Sequence, residues 1–169
     1  MDRHPLYEED FHAWTEAQAT ALRRLAATLQ PAPNDLDLVA VAEEIESVGW
    51  SERAAAESHL RQVFVHLIKI ASSPLAPAVK HWGKEIVGFH NEFLGRFTPS
   101  MAQRIDCDLV WARAVREAAA ALEADGEALR PGLPTACPFA IVDIAVETFS
   151  VADGLARIAM ATDGGAPDA

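Results

Sequence analysis

Three glutamates, Glu43, Glu44 and Glu46, fall within four positions of the segment AVAEEIESVGWSER (residues 40–53). Carboxylates this dense bind metal or trade protons when they face a helical interior, and carry water when they face out. At about 100° per residue, the apolar face of this helix centres between Val41 and Ile45. Glu43 then falls nearly opposite and Glu46 well outside, while Glu44 lies on the border, roughly 80° from the centre. The run is expected to be a solvated face, with Glu44 placed to reach a neighbouring helix N-terminus or a basic side chain.

Other constellations are weaker. A di-iron bundle needs inward glutamates and two Glu-x-x-His pairs on separate helices. The chain has one such spacing, Glu9 to His12, and both residues lie off the stripe of Phe11, Trp14 and Leu22. His59 and His66 share one flank of a helix but stand two turns apart. No His-Glu-x-x-His, no Gly-x-Ser-x-Gly elbow and no glycine-rich phosphate loop occurs, so no metal or other cofactor is predicted. Cys137, beside Pro138, reads as a small buried hydrophobe at a helix start, where a thiol can also become acidic. Two polar residues fall on apolar faces. His90 lies among Trp82, Ile86, Phe93 and Phe97, and Asp108 among Ile105, Ala112 and Val115. A tight turn at 97–99 would bring them to one level of an antiparallel hairpin, where they are expected to meet or to share a water.

The elements that position these groups read as helices. Phe11, Trp14, Leu22, Leu25 and Leu29 form the first stripe, and PAPND (31–35) breaks the chain. Asp37 can cap a second helix facing inward through Leu38, Val41, Ile45 and Val48, with Gly49 ending or bending it. Ser51 can cap a third, with a broad apolar face of Leu60, Val63, Phe64, Leu67, Ile68, Ile70 and Ala71, the central and most buried helix. A fourth carries Val79, Trp82, Ile86, Phe89, Phe93 and Phe97. Thr98–Pro99 opens a fifth that runs to about Ala124, with Met101, Ile105, Ala112, Val115, Ala119 and Leu122 inward. After the loop at 125–138, a sixth holds Phe139, Val142, Val146 and Phe149, with Leu155 and Ile158 adding a turn or two. The fold class is all-α: a single bundle of about six helices over residues 1–161, with a frayed tail at 162–169.

The chain has 169 residues and a formal net charge of −11. That balance argues against nucleic acid, which needs a basic stripe to displace counterions from phosphates. No apolar run reaches the ~20 residues of a membrane helix, and the N-terminus MDRHPLYEED lacks the basic-then-apolar layout of a signal peptide. Two cysteines without CxxC spacing, Cys107 and Cys137, fit free thiols in a reducing, cytoplasmic compartment.

Four landmarks carry a resemblance: YEEDFHAW with Asp10, Phe11 and Trp14; VAEEIESVGWSER from Val41 to Arg53; HLIK from His66 to Lys69; and CPF from Cys137 to Phe139. Over roughly residues 7–150 the chain resembles the bacterial family catalogued as domain of unknown function twenty-nine. The resemblance implies an all-helical bacterial protein and no particular activity. It departs from the family at Trp82-Gly83-Lys84-Glu85-Ile86, where the following basic stretch is largely absent and His90 stands near a common arginine. Within the glutamate segment, the resemblance allows a site built from Glu43, Glu44, Glu46, Ser51 and Arg53, and favours over it a helix–turn–helix junction in which Ser47, Gly49 and Ser51 form the turn and Glu44 or Glu46 pairs with Arg53 or Arg61.

The expected function is that of a small acidic interaction module that binds a protein partner or itself, with neither nucleic acid nor membrane as partner. Trp50 and Trp111 are the candidate interface anchors, since aromatics are enriched in interfaces. The alternative is an enzyme or ligand-binding bundle with a polar, metal-capable pocket built from Glu44, His66, His90 and Asp108.

Overall fold

Asp37 caps its helix as expected: one carboxylate oxygen accepts the Val39 and Ala40 N–H groups at 3.1 and 3.0 Å. The helix then runs straight past Gly49. In a computed structural model, described for residues 5–29 and 36–163, the chain forms seven α-helices and one 3₁₀ helix, with no strand among the described residues. The helices are α1 (Pro5–Glu9), α2 (Phe11–Thr28), α3 (Leu38–Ser72), α4 (Val79–Arg96), α5 (Cys107–Ala124), α6 (Ile141–Ile144) and α7 (Val151–Asp163), with the 3₁₀ helix at Pro99–Gln103. The all-α class holds. The PAPND break lies outside the described residues, as does the expected tail from residue 164 on. Thr162 and Asp163 are the last residues of α7.

The expected second and third helices are thus one 35-residue helix, α3. The reason lies at Gly49. A Cβ there would overlap the Thr15 hydroxyl and sit 3.2 Å from Thr15 Cβ, so the glycine lets α2 approach closely and ends nothing. Ser51 is an exposed mid-helix residue, and no turn or junction exists at 47–51.

The described residues group into two compact units. One holds the chain up to Ala55 together with Arg96–Arg104, and the other holds Ala56–Gly95 and the residues from Ile105 onward.

In the first unit, α2 and the start of α3 run antiparallel, with Thr15 against Gly49 and Arg23 paired to Glu46 at 2.6 Å. The buried face of α2 is His12, Thr15 and Ala19, on the flank away from the expected leucine stripe. On α3 the buried positions are Leu38, Ala42 and Gly49, while Val41 and Val48 are exposed. Small residues win the interface because they allow backbones close together, which burying leucines would prevent.

In the second unit, the breadth of the apolar face on the rest of α3 is matched by burial: Leu60, Val63, Phe64, Val65, Leu67, Ile68 and Ile70 are all inside. Phe64 stacks on Phe139 at 5.2 Å and meets Trp111 edge-on at 5.5 Å. On α4, Trp82, Ile86, His90 and Phe93 point inward as their spacing required. On α5 the inward set is Val110, Trp111, Ala114, Ala118 and Leu122, shifted from the expected one. The chain does not turn directly from Thr98–Pro99 into α5. After the 3₁₀ helix it restarts at Asp106, whose carboxylate caps Leu109 N–H at 3.0 Å, so the helical phase of Met101 and Ile105 does not carry over. The expected sixth helix is divided into α6 and α7. Gly154 of α7 lies so close to α3 that a Cβ would stand 2.9 Å from a Leu67 methyl and 3.1 Å from Phe149.

Candidate functional site

Asp10 ends α1 and begins α2. Its Oδ1 accepts Ala13 N–H at 3.0 Å, an N-cap for α2. Its Oδ2 accepts Ser100 N–H at 2.8 Å, in the first turn of the 3₁₀ helix. One carboxylate therefore caps two helix starts 90 residues apart in sequence. Ser100 Oγ donates to Asp10 Oδ1 at 2.7 Å and lies 3.2 Å from His12 Nδ1. Burial alone would raise the Asp10 carboxyl, but bonds from Ala13, Ser100 and Thr98 outweigh it and hold the group below the ordinary carboxylate range. Asp10 is therefore ionised and accepts a hydrogen bond from the Ser100 hydroxyl, which in turn accepts from His12 Nδ1–H.

His12 is fully buried, and its Nε2 has no hydrogen-bond partner among the described residues. Burial pushes its pKa down, and of the surrounding charges Glu16 and Asp10 oppose this while Arg53 and Arg104 reinforce it. Aspartate, histidine and serine are the residues of a hydrolase triad, but the wiring differs. A triad needs the carboxylate on the imidazole and the imidazole on the serine proton. Here the serine hydroxyl donates directly to the carboxylate and the imidazole is sealed from solvent. The trio locks α1, α2 and the 3₁₀ helix together. Sequence reading set His12 aside because it sat opposite the larger apolar stripe. The Asp-Phe-x-x-Trp landmark that contains Asp10 was the available signal.

The four residues considered for a polar pocket take separate partners. Glu44 is exposed on α3 in the first unit, as is Glu43, and Glu46 is spent on Arg23. In the second unit, His66 Nδ1–H donates to Gln62 O at 2.8 Å and its ring leans on Phe89 at 5.6 Å. Burial, chiefly, holds His66 below the usual imidazole value. His90 Nε2–H donates to Ile144 O at 2.8 Å, and its ring lies 5.1 Å from Phe149. Asp108 Oδ1 accepts Cys137 N–H at 2.7 Å. His90 and Asp108 thus bond elsewhere and not to each other, because the restart at Asp106 places Asp108 in the first turn of α5. Among the described residues, no three His, Cys, Asp or Glu side chains gather as a metal cage requires.

Of the two tryptophans, Trp50 is 53 % exposed. Trp111 is not an interface anchor: it is wholly buried, and its indole N–H donates to Pro134 O at 2.9 Å. The ion pairs expected within the glutamate segment go to other helices. Glu46 holds Arg23, Glu52 holds Arg96 at 2.9 Å, and Arg61 holds Glu117 at 3.1 Å.

Cys107 and Cys137 are free and half-buried. Both line one cleft, and the Asp108 bond to the Cys137 backbone holds their two chain segments together. That bond is what the separate reading of the two cysteines missed, since nothing in their spacing announces it.

These features define an all-helical protein whose helix starts at Asp10, Asp37 and Asp106 are capped by side-chain carboxylates. The family model described as "Domain of unknown function DUF29" matches residues 6–150, and the chain belongs to that family. It is similar to an α-helical protein of unknown function from Rhodospirillum rubrum, solved by crystallography, at 40 % identity and a TM-score of 0.87, over 92 % of this chain and 99 % of that one. No curated protein matches the chain. Neither the family nor the solved structure carries a description of an activity. Among the described residues, no helix is long and apolar enough to cross a membrane.

Proposed function

We propose that the protein is a helical interaction module that binds a second copy of itself through one flank of the α2–α3 hairpin. The observation that carries this reading is an uncovered apolar face. Along α2 and its C-cap the stripe runs through Phe11, Trp14, Leu22, Leu25 and Leu29; Tyr7 of α1 packs edge-on against Phe11 and Trp14 at 5.4 and 4.8 Å, and Leu22 is half-buried. Beyond that, Leu25 is 45 % exposed and Leu29 is exposed too. On α3, Val41 and Val48 are exposed and Ile45 is half-buried.

Counting about 100° per residue from each helix's buried centre, both stripes turn to the same side of the antiparallel pair. The opposite side carries the Arg23–Glu46 ion pair, with Glu43 and Trp50 beyond it. The stripe side is mostly apolar, with the Glu52–Arg96 ion pair at its far end, one turn beyond Val48. A two-fold axis through the apolar side would set two hairpins face to face as a four-helix arrangement, burying on each copy what the other exposes. Glu43 and the Arg23–Glu46 pair would then stay on the outer surface.

Free thiols support a reducing, cytoplasmic location for this module, and its Rhodospirillum rubrum relative supports a bacterial one. Sedimentation of the full chain over a rising concentration series tests the reading. The wild type should pass from monomer to dimer, and a Leu25→Glu, Val48→Glu double variant should stay monomeric with unchanged helicity. A wild type that stays monomeric throughout, or a variant that dimerises as well as wild type, overturns it.

A further inference from the structure

We propose that Cys107 and Cys137 form a dithiol site that exchanges with low-molecular-weight disulfides and closes to an intramolecular disulfide. Three features on different elements carry this. Cys107 is the first residue of α5, immediately after the capping Asp106, with its thiol at a helix N-terminus. Cys137 lies in the approach to α6, and its backbone N–H is clamped by Asp108, the residue after Cys107. The clamp fixes the two chain segments against each other whatever the state of the sulfurs. Third, both thiols line an open cleft with Ile105, Asp106, Asp108 and Pro138, so a small disulfide can reach them.

The two sulfurs are unequal. The hydrogen bond from the Cys137 thiol lowers the Cys107 pKa, against burial and the charges of Asp106 and Asp108. The same bond and burial push Cys137 far up. Cys107, at the N-terminus of α5 where the helix dipole favours a thiolate, is the attacking group and Cys137 the resolving one. The Cys107 thiolate attacks one sulfur of a disulfide RSSR, the S–S bond breaks, and RS⁻ leaves with the bonding pair. Cys137 then gives up its proton and attacks the Cys107 sulfur, expelling the second RS⁻. The two thiol protons end on the two leaving groups. The protein loses two electrons to RSSR, which becomes two RSH.

The test is incubation of the full chain with excess oxidised glutathione at pH 8, acid quench, and intact and peptide mass spectrometry without reduction. Wild type should lose two hydrogens and yield a Cys107–Cys137 linked peptide, with little stable adduct. Cys137→Ser should stop as a single glutathione adduct on Cys107. Cys107→Ser should form no intramolecular disulfide, and in wild type limiting iodoacetamide should label Cys107 at least about tenfold faster than Cys137. Far-ultraviolet circular dichroism identical to wild type certifies both variants as folded. Wild type that collects two separate adducts, wild type that does not react, or wild type labelled equally fast at the two cysteines would each overturn the assignment.

Discussion

Replacing Gly49 with alanine should destabilise the protein although it improves helix propensity. An alanine in a helix interior is favoured over glycine by roughly 0.5–1 kcal/mol. Where the added methyl meets open space, that gain appears in full. Gly88, in the middle of α4 and with nothing within 4 Å of its would-be Cβ, is such a place, and Gly88→Ala should stabilise by about that amount. At Gly49 the new methyl overlaps the Thr15 hydroxyl and lies 3.2 Å from Thr15 Cβ, inside the ~3.5–4.0 Å separation of carbon atoms at rest. Rotating Thr15 removes only part of the clash, because its Cβ is fixed to the backbone. Rotation also breaks its 2.7 Å bond to the His12 carbonyl. Overpacking of this kind costs about 1–3 kcal/mol. Set against the propensity gain, Gly49→Ala should lower stability by up to about 2 kcal/mol. Urea denaturation followed by circular dichroism measures both variants. In a Thr15→Ala background most of the penalty should vanish, since the overlapping hydroxyl is gone. A Gly49→Ala variant as stable as Gly88→Ala would refute the close-approach argument. A penalty that Thr15→Ala does not reduce would return Gly49 to the role of a helix end or bend.

Asp10→Ala removes two helix caps and the acceptor of Ser100, and should cost about 2–4 kcal/mol at pH 7. The folded pKa of Asp10 lies below its unfolded value. The contribution is therefore full above that unfolded value and is lost as pH falls through the folded one, so wild type and variant should converge in urea midpoints at strongly acid pH. His12 and His66 are both held below the usual imidazole pKa. The unfolded chain then binds protons near pH 6.5 that the folded chain refuses, so stability is full above about pH 6.5 and declines as pH falls below it. Proton NMR of the imidazoles should show both rings titrating below that value, and titration at or above it would contradict the burial argument.

The all-helical class, the cap at Asp37, the inward sets of α4 and the broad face on the later part of α3 were legible because each is a local pattern. Large apolar side chains repeat at helical spacing and have no competing face. The first helices misled for a physical reason. Their strongest apolar stripes, Leu22–Leu25–Leu29 and Val41–Ile45–Val48, are not the faces that pair within the hairpin. The buried positions there are His12, Thr15 and Ala19 on α2 and Leu38, Ala42 and Gly49 on α3, with Thr15 against Gly49, because close packing selects small residues and hydropathy does not register them. The same blindness hid His12, Asp10 and Ser100, whose meeting depends on a contact across 90 residues, and the two thiols, joined through a backbone N–H and a carboxylate. The expected His90–Asp108 approach failed over a few residues of loop. The 3₁₀ helix and the cap at Asp106 reset the phase of α5, and no periodicity reading passes through such a reset.

That misreading bears on function. A stripe of leucine and valine at helical spacing is normally explained by its own core. On α2 and α3 the chain already has a core face, built from smaller residues, so the second stripe needs a different explanation. Two faces on one hairpin, one used internally and one free, are what a helix pair shows when its association is completed by another molecule. The placement of charge sharpens the point. Glu43 and the Arg23–Glu46 pair lie on the opposite flank, Glu44 borders the apolar one, and Glu52 at the end of the apolar stripe is already paired with Arg96, so face-to-face approach of two acidic chains would bring apolar side chains together without burying an unpaired Glu43, Glu46 or Glu52. If apolar pairing with charges outside drives the dimer, added salt should leave it unchanged or tighten it, whereas an association held by ion pairs would weaken with salt.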